Sequence, residues 1–324
     1  MDSIVFSVSF ILVASMMCKA ETVKASMGKL HQKRSQGAVL HSMVFDIKEN
    51  SANEKQFVDR ILSLANAKVH STHASLSNNA KMMNQRSQRK RKSIFGIDNR
   101  ISVGTSIQAQ MYPYSTVVTL SSGCTGTLIG AQHVLTAAHC VHNGKKFIKR
   151  SRKLKIGMLQ RNGAFRWIKV SRIHLPKQWL RISTKERVKH DYAVLKLKRP
   201  HRRPIMAIKA SDLKRGSTMR FAGFHGDKVS NTMWYSQCPV MGVISGAVLS
   251  HCDGAKGISG SGVRSDNAVV GVVSAIGTGR YRGRSLEFNV VITLTPRKVR
   301  RILRWMKRGN KKRRIRARRK KAHQ

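Results

Sequence analysis

Gly257-Ile258-Ser259-Gly260-Ser261-Gly262 is the stretch on which the reading of this chain turns. A serine set between glycines suits a tight turn, because glycine tolerates backbone conformations closed to other residues. Such a turn can present a hydroxyl and aim neighbouring amides at one spot. Working back toward the N-terminus, two further segments stand out. They are His190-Asp191-Tyr192-Ala193-Val194-Leu195-Lys196-Leu197 and Leu135-Thr136-Ala137-Ala138-His139-Cys140. They contribute an aspartate and a histidine, so the chain order is His139, Asp191, Ser259.

Those three residue types make one chemical unit. A serine hydroxyl is a weak nucleophile near neutral pH and needs a base within hydrogen-bond reach. Imidazole suits that role because it takes and returns a proton near working pH. A carboxylate then fixes the tautomer of the base. The candidates are His139 as base, Asp191 as orienter and Ser259 as nucleophile, with the amides of Gly257 and Ser259 as oxyanion donors. Singly, each has an ordinary reading as a buried histidine, a turn aspartate or a turn serine. Charge statistics favour the joint reading. From residue 94 onward forty-eight Lys and Arg face eight acids, and one of those scarce acids, Asp191, stands where this chemistry needs a carboxylate.

Around these segments the chain reads as β-structure. Short runs such as Thr116–Leu120, Cys124–Ile129, Phe165–Val170, Ala193–Leu197, Met219–Phe224, Val240–Leu249 and Val269–Ile276 are broken by Gly, Ser and Asn. Many short strands at this spacing suggest a sandwich or a barrel. One helix follows. Val299, Ile302, Leu303 and Met306 share a face at helical spacing, and Pro296 suits the first turn.

The two ends differ from this middle. An apolar run from Ile4 to Met17, closed by Cys18-Lys19-Ala20, reads as a signal peptide over residues 1–20. Residues 21–93 are polar and lack cysteine, with a weak helical pattern over Gln56–Leu62. They are expected to be a poorly ordered pro-region. They end in Arg89, Lys90, Arg91 and Lys92, a run that suits a processing protease of the proprotein-convertase type. Residues 297–324 hold sixteen Lys and Arg and no acid. The tail from 309 to 324 cannot pack on itself and is expected to be disordered.

The net charge of +49 points to polyanionic partners, sulfated glycans foremost. The contacts expected for them are Lys311, Lys312, Arg313, Arg314, Arg316, Arg318, Arg319, Lys320 and Lys321. Nothing resembles a module that reads DNA or RNA, so no specific nucleic-acid partner is expected. No further run is apolar enough to span a bilayer. With Cys18 gone, Cys124, Cys140, Cys238 and Cys252 remain, an even number that suits an oxidising, extracellular compartment. Four cysteines allow three connectivities. No Cys-x-x-Cys pair is present, and neither a metal nor a cofactor is expected.

At these residues the chain resembles the trypsin-like serine proteases, and among them the serine protease 23 and serine protease 35 group. The likeness rests on Tyr112–Thr116, Gly123–Leu128, Leu135–Cys140, Asp191–Leu197, Gly257–Val263 and Phe288–Thr293. It implies an all-β fold of two six-stranded Greek-key barrels of chymotrypsin type, with the site in the cleft between them. The implied domain spans 94–308, with barrel 1 over about 94–200, barrel 2 over about 201–296, and a C-terminal helix over about 297–308 packed on the second barrel. It also implies the bridges Cys124–Cys140 and Cys238–Cys252, and a protein or peptide substrate.

The departures from the family carry as much information. Trypsin-type enzymes place Asp immediately before the nucleophile, where it receives a newly cut N-terminal ammonium and so forms the oxyanion hole. Here that position is Ile258, and cleavage after Lys92 leaves Ser93 first rather than Ile94. Activity is therefore expected not to depend on that ion pair. Gly262 replaces a proline common at that place and is expected to loosen the loop. Asp253 stands where trypsin-like enzymes floor a pocket selective for Lys or Arg, yet the pattern also resembles acid-selective relatives in which this Asp has another role. Relatives with a substituted nucleophile resemble pseudoenzymes. The reading is a secreted serine endopeptidase held to polyanions, and the alternative is a catalytically weak or inactive glycan-binding protein on the same fold.

Overall fold

The computed structural model describes residues 43–46, 92–104, 107–148, 153–181, 184–281 and 284–307. Two antiparallel barrels organise them. The first closes β4 (Val117–Leu120), β5 (Cys124–Gly130), β6 (His133–Thr136), β7 (Lys155–Leu159), β8 (Phe165–His174) and β9 (Ala193–Leu197) in the order β4-β5-β6-β9-β8-β7. β-Branched and aliphatic residues line its inside, and Val118, Leu128, Val134, Leu135, Ile156, Val194 and Leu195 are fully buried. A closed barrel leaves none of these strands with an unpaired edge.

The second barrel joins β11 (Thr218–Gly223), β12 (Met233–Ile244), β13 (Ala247–Ser250), β15 (Gly262–Ser265), β16 (Ala268–Tyr281) and β17 (Arg284–Thr293). It closes through pairing of β16 with β17 and of β15 with β11. Met219, Phe221, Val240, Val248, Val263, Val270 and Val291 fill its core. The run Val240–Leu249 is not one strand. Gly246, at φ 79°, turns the chain so that Val243 faces Val248 across a hairpin.

The structure corrects the sequence reading in two further places. β3 (Ile101–Gly104) pairs with β12, and β2 (Lys92–Ser93) pairs with β14 (Gly254–Ala255), so the arm 92–104 belongs to the second barrel and not the first. Its acceptors, Asp227 and Asp253, lie far away in sequence on that barrel. The C-terminal helix, residues 296–307, packs mainly on the first barrel. Ile302 is fully buried in the first-barrel core, and Val299, Trp305 and Met306 pack against it, whereas Leu303 is exposed. Trp305 lies against the rings of His174 and Tyr192, which draws the helix to that side.

Within the span read as a pro-region, β1 (Met43–Asp46) runs parallel to Gly277–Arg280 of β16. β10 (Ala207–Ile208) also joins β16 in parallel. The residues assigned to a signal peptide, the helical pattern at 56–62, the basic run Arg89–Arg91 and the tail from 308 onward lie outside the described residues.

Candidate active site

The histidine and the aspartate meet between the barrels. His139 sits in a short 3-10 turn directly after β6, and Asp191 ends a second such turn just before β9, the strand that pairs with β6. That pairing carries two residues fifty-two positions apart into contact. His139 Nδ1 lies 2.7 Å from Asp191 Oδ2, and the His139 main-chain N–H donates to Asp191 Oδ1 at 2.8 Å. Ser274 Oγ–H donates to the same Oδ2. Burial works to raise the Asp191 carboxyl, but the His139 charge and these hydrogen bonds outweigh it and hold it below the usual range. The carboxylate therefore stays ionised and locks the ring orientation, leaving Nε2 as the nitrogen that exchanges a proton.

Ser259 arrives from the second barrel. Its main-chain carbonyl accepts the Thr125 amide at 2.9 Å and lies 3.6 Å from Cys140 Sγ. The same sulfur lies 3.8 Å from His139 Nε2, so serine backbone and imidazole flank one atom. Among the described hydrogen bonds, none joins the Ser259 hydroxyl to His139. Such bonds are often long in free enzymes and tighten with substrate.

Two glycines make the turn possible. Gly257 and Gly260 adopt φ of 110° and 86°, a region that other residues avoid. A Cβ at Gly257 would collide with the Phe224 carbonyl, and one at Gly260 with Thr136 Oγ1 and the Thr125 carbonyl. Around the turn the amides of Ile258, Gly260 and Ser261 donate to Ala255, Val273 and Ile258. Those of Gly257 and Ser259 donate to no acceptor among the described residues. Two N–H groups at the turn are thus without a described acceptor.

Both cysteine pairs are bridged. Cys124–Cys140 ties β5 to the residue after the histidine, and Cys238–Cys252 ties β12 to the entry of the serine loop. Cys124, His139 and Cys140 cluster closely, but sulfurs joined in a disulfide are not thiolates, so the cluster is no metal centre.

The family match decides the class. A model of the family described as Trypsin matches residues 101–295, more than half of the chain. The chain belongs to the trypsin family. Serine protease 23 of Mus musculus is 36% identical over 257 residues, covering 69% of this chain and 66% of that protein. Serine protease 23 of Homo sapiens is 35% identical over 254 residues, covering 68% and 66%. Inactive serine protease 35 of Bos taurus is 28% identical over 285 residues, covering 67% and 69%. The chain thus spans about two thirds of the length of the serine protease 23 proteins it matches. Among solved structures, that of Glu endopeptidase in complex with MPD aligns with a TM-score of 0.52 at 21% identity, covering 65% of this chain and 98% of that one. It shares the fold.

Within the trypsin family the departures take physical form. Ile258 is buried in the second-barrel core and abuts Gly223, a surrounding with no place for an ammonium. Gly262 does not loosen the loop. It is buried and its amide donates to Thr127 Oγ1 at 3.0 Å, a bond that proline cannot make. Asp253 is buried with both carboxylate oxygens on main-chain amides, Phe95 N at 2.7 Å and Asn99 N at 2.9 Å, a use different from the floor of a pocket. Ser274 escaped the sequence reading. Its one signal was a hydroxyl inside the apolar run Val272-Val273-Ser274-Ala275, where the register shift between Val273 and Ala275 re-aims the side chain.

Proposed function

We propose that this chain is a secreted serine endopeptidase that cleaves peptide bonds through an acyl-enzyme. Ser259 Oγ attacks the scissile carbonyl carbon while its proton passes to His139 Nε2. The oxyanion rests on the amides of Gly257 and Ser259. The protonated His139 then gives its proton to the leaving amine, and water repeats the sequence to release the acid. Asp191 orients the ring throughout. The observation that supports this most directly is the double clamp of Asp191 on His139, at ring and main chain, beside a serine turn with two unpaired amides.

Residues 1–20 serve as the signal and 21–93 as the pro-region, cut at Arg89–Lys92 by a convertase-type protease. Two disulfides suit export to an oxidising compartment. Among the described residues, no helix is long and apolar enough to cross a membrane. The test is labelling by a fluorophosphonate. The secreted chain takes the label covalently and Ser259→Ala does not. An intact, folded chain that stays unlabelled overturns the enzymatic reading.

A second reading, a sulfated-glycan-binding protein, gains support from one surface. Lys155 faces Lys169 across β7 and β8, and Arg172 faces Lys196 across β8 and β9. Lys198 donates its amide to the Lys169 carbonyl, which sets it alongside. Among the described residues none of these five cations joins an ion pair. Like charges opposite one another destabilise a sheet, and an anionic polymer relieves that cost. The enzymatic and anchoring readings are compatible, and the basic tail extends the second.

A further inference from the structure

The arm that precedes β3 carries a buried charged cluster outside the triad, centred on one arginine. Arg100 is an arginine with its side chain 1% exposed. Its Nε and Nη2 donate to Asp98 at 2.8 and 2.7 Å, and its Nη1 and Nη2 donate to Asp227 at 3.0 and 2.7 Å. Nη1 also lies 3.0 Å from His225 Nδ1. Burial, and then the Arg100 charge, push the His225 imidazole down to about 3, so the ring is neutral and Nδ1 accepts. Burial alone would lower the Arg100 guanidinium, but its bonds to Asp98 and Asp227 outweigh burial and keep it charged. Lys228 completes the group, with Nζ 2.8 Å from Asp98 and 3.9 Å from the centre of the Trp234 ring.

The location of this cluster gives it a consequence. Asp227 and His225 belong to the loop after β11, and that loop supports the serine turn from one side. Gly226 N donates to the Lys256 carbonyl at 2.6 Å, and Gly257 packs on the Phe224 carbonyl. Thr125 Oγ1 joins the two, donating to the Gly257 carbonyl at 2.8 Å and accepting the Phe224 amide at 3.2 Å. From the other side the same arm holds the entry to the turn. Asp253 accepts Phe95 N and Asn99 N, and β2 pairs with Gly254–Ala255. Residues 253–257 are therefore gripped at both ends by 93–100, directly on one side and through the 224–228 loop on the other.

We propose that residues 93–100 are a built-in strap that orders the oxyanion loop, with the buried Arg100 guanidinium as its anchor. Trypsin-type enzymes order this loop only after cleavage, when a new terminal ammonium is buried against the acid before the nucleophile, whereas Arg100 is held by Asp98 and Asp227 instead. In this chain the cation is a side chain, present in the precursor. Every strap contact lies C-terminal to Lys92, apart from the Lys92 pairing itself, so cleavage at the basic run leaves the anchor in place. Arg100 is a positioning residue. It meets the reaction through Asp227, Gly226 and Lys256, and the proposal rests on reading Gly257 and Ser259 as oxyanion donors.

Hydrogen exchange measured by mass spectrometry, run beside fluorophosphonate labelling, tests this in the full chain. One form is cleaved after Lys92. A second carries Arg89, Lys90, Arg91 and Lys92 all as Ala and stays intact. The two are expected to show equal protection at 224–228 and 253–260, and labelling rates within about twofold, where loss of a single oxyanion donor would give about a hundredfold. Arg100→Leu is expected to lose protection at both segments, with protection of β4 to β6 unchanged, and to label about a hundredfold more slowly. Arg100→Lys, which keeps the charge and loses the fork, falls between and serves if the leucine variant does not fold. Native protection at 253–260 in both Arg100 variants overturns the strap, as does protection that appears only after cleavage. If the wild type is protected yet never labelled, the enzymatic reading fails while the exchange result still decides the strap.

Discussion

Asp253 illustrates how one side chain is assigned by its partners rather than its position. A carboxylate at this place in a trypsin-family chain suggests selection of Lys or Arg, but here each oxygen is occupied by a main-chain amide of the strap. In Asp253→Asn one of those amides would face an NH2 donor and lose its acceptor, at a cost of about 1–3 kcal/mol. The charge loss would weaken the second bond as well. We expect Asp253→Asn to lower the melting temperature and slow hydrolysis of Arg-, Glu- and Phe-type peptides in equal proportion. Ratios of kcat/KM across the three substrates, compared with the wild type, provide the check. A selective collapse of Arg hydrolysis would return Asp253 to the pocket floor. Residue-scale legibility follows the same logic. His139, Asp191 and Ser259 were readable because each lies in a segment with characteristic neighbours. Ser274 and Arg100 were not, since a serine in an apolar strand and one arginine among sixty-three Lys and Arg carry no local signal.

Elements repeat this division between local and distant causes. Strands that a run of apolar or β-branched residues announces, such as β4, β5 and β9, are plain in the sequence. β15, with the sequence Gly-Val-Arg-Ser, is not, because its order comes from neighbours in space. Its first residue is the clearest case. Gly262 N–H donates to Thr127 Oγ1 across the barrel interface, and a Cβ there would fall 2.6 Å from that oxygen. Proline at this place would delete the donor and crowd the hydroxyl. Gly262→Pro is therefore expected to cost about 2 kcal/mol or more. Adding Thr127→Ala, which removes both the orphaned acceptor and the clash, should recover part of the loss. A coupling of about 1 kcal/mol in urea unfolding of the cycle would mark the pair as joined. A neutral Gly262→Pro would show that the loop adapts freely. The strands of the arm 92–104 were not legible, and the C-terminal helix was legible as an element but not in its placement. Side-chain acceptors and aromatic contacts more than a hundred residues away decide where each docks.

Charge governs the molecule as a whole. With a net charge of +49 the chain repels itself, and a polyanion that binds the folded state relieves that repulsion. The sheet surface of Lys155, Lys169 and Lys198 holds its cations at fixed spacing, whereas the tail supplies charge without a described conformation. The two sources predict different signatures. Deleting residues 310–324 should lower the salt needed for elution from heparin and leave peptide hydrolysis intact. Reversing the surface as Lys155→Glu, Lys169→Glu and Lys198→Glu should lower it too, and should flatten the dependence of log affinity on log salt by about 2 to 3 units. The preorganised surface should also transmit binding to stability, because ligand at about a hundred times its dissociation constant adds about 2.7 kcal/mol to the folded state. Heparin is thus expected to raise the melting temperature of both the wild type and the tail-deleted chain, and to raise that of the triple reversal less. If the reversal elutes like the wild type and gains the same heparin-induced shift, the first barrel has no part in anchoring and the tail alone carries it.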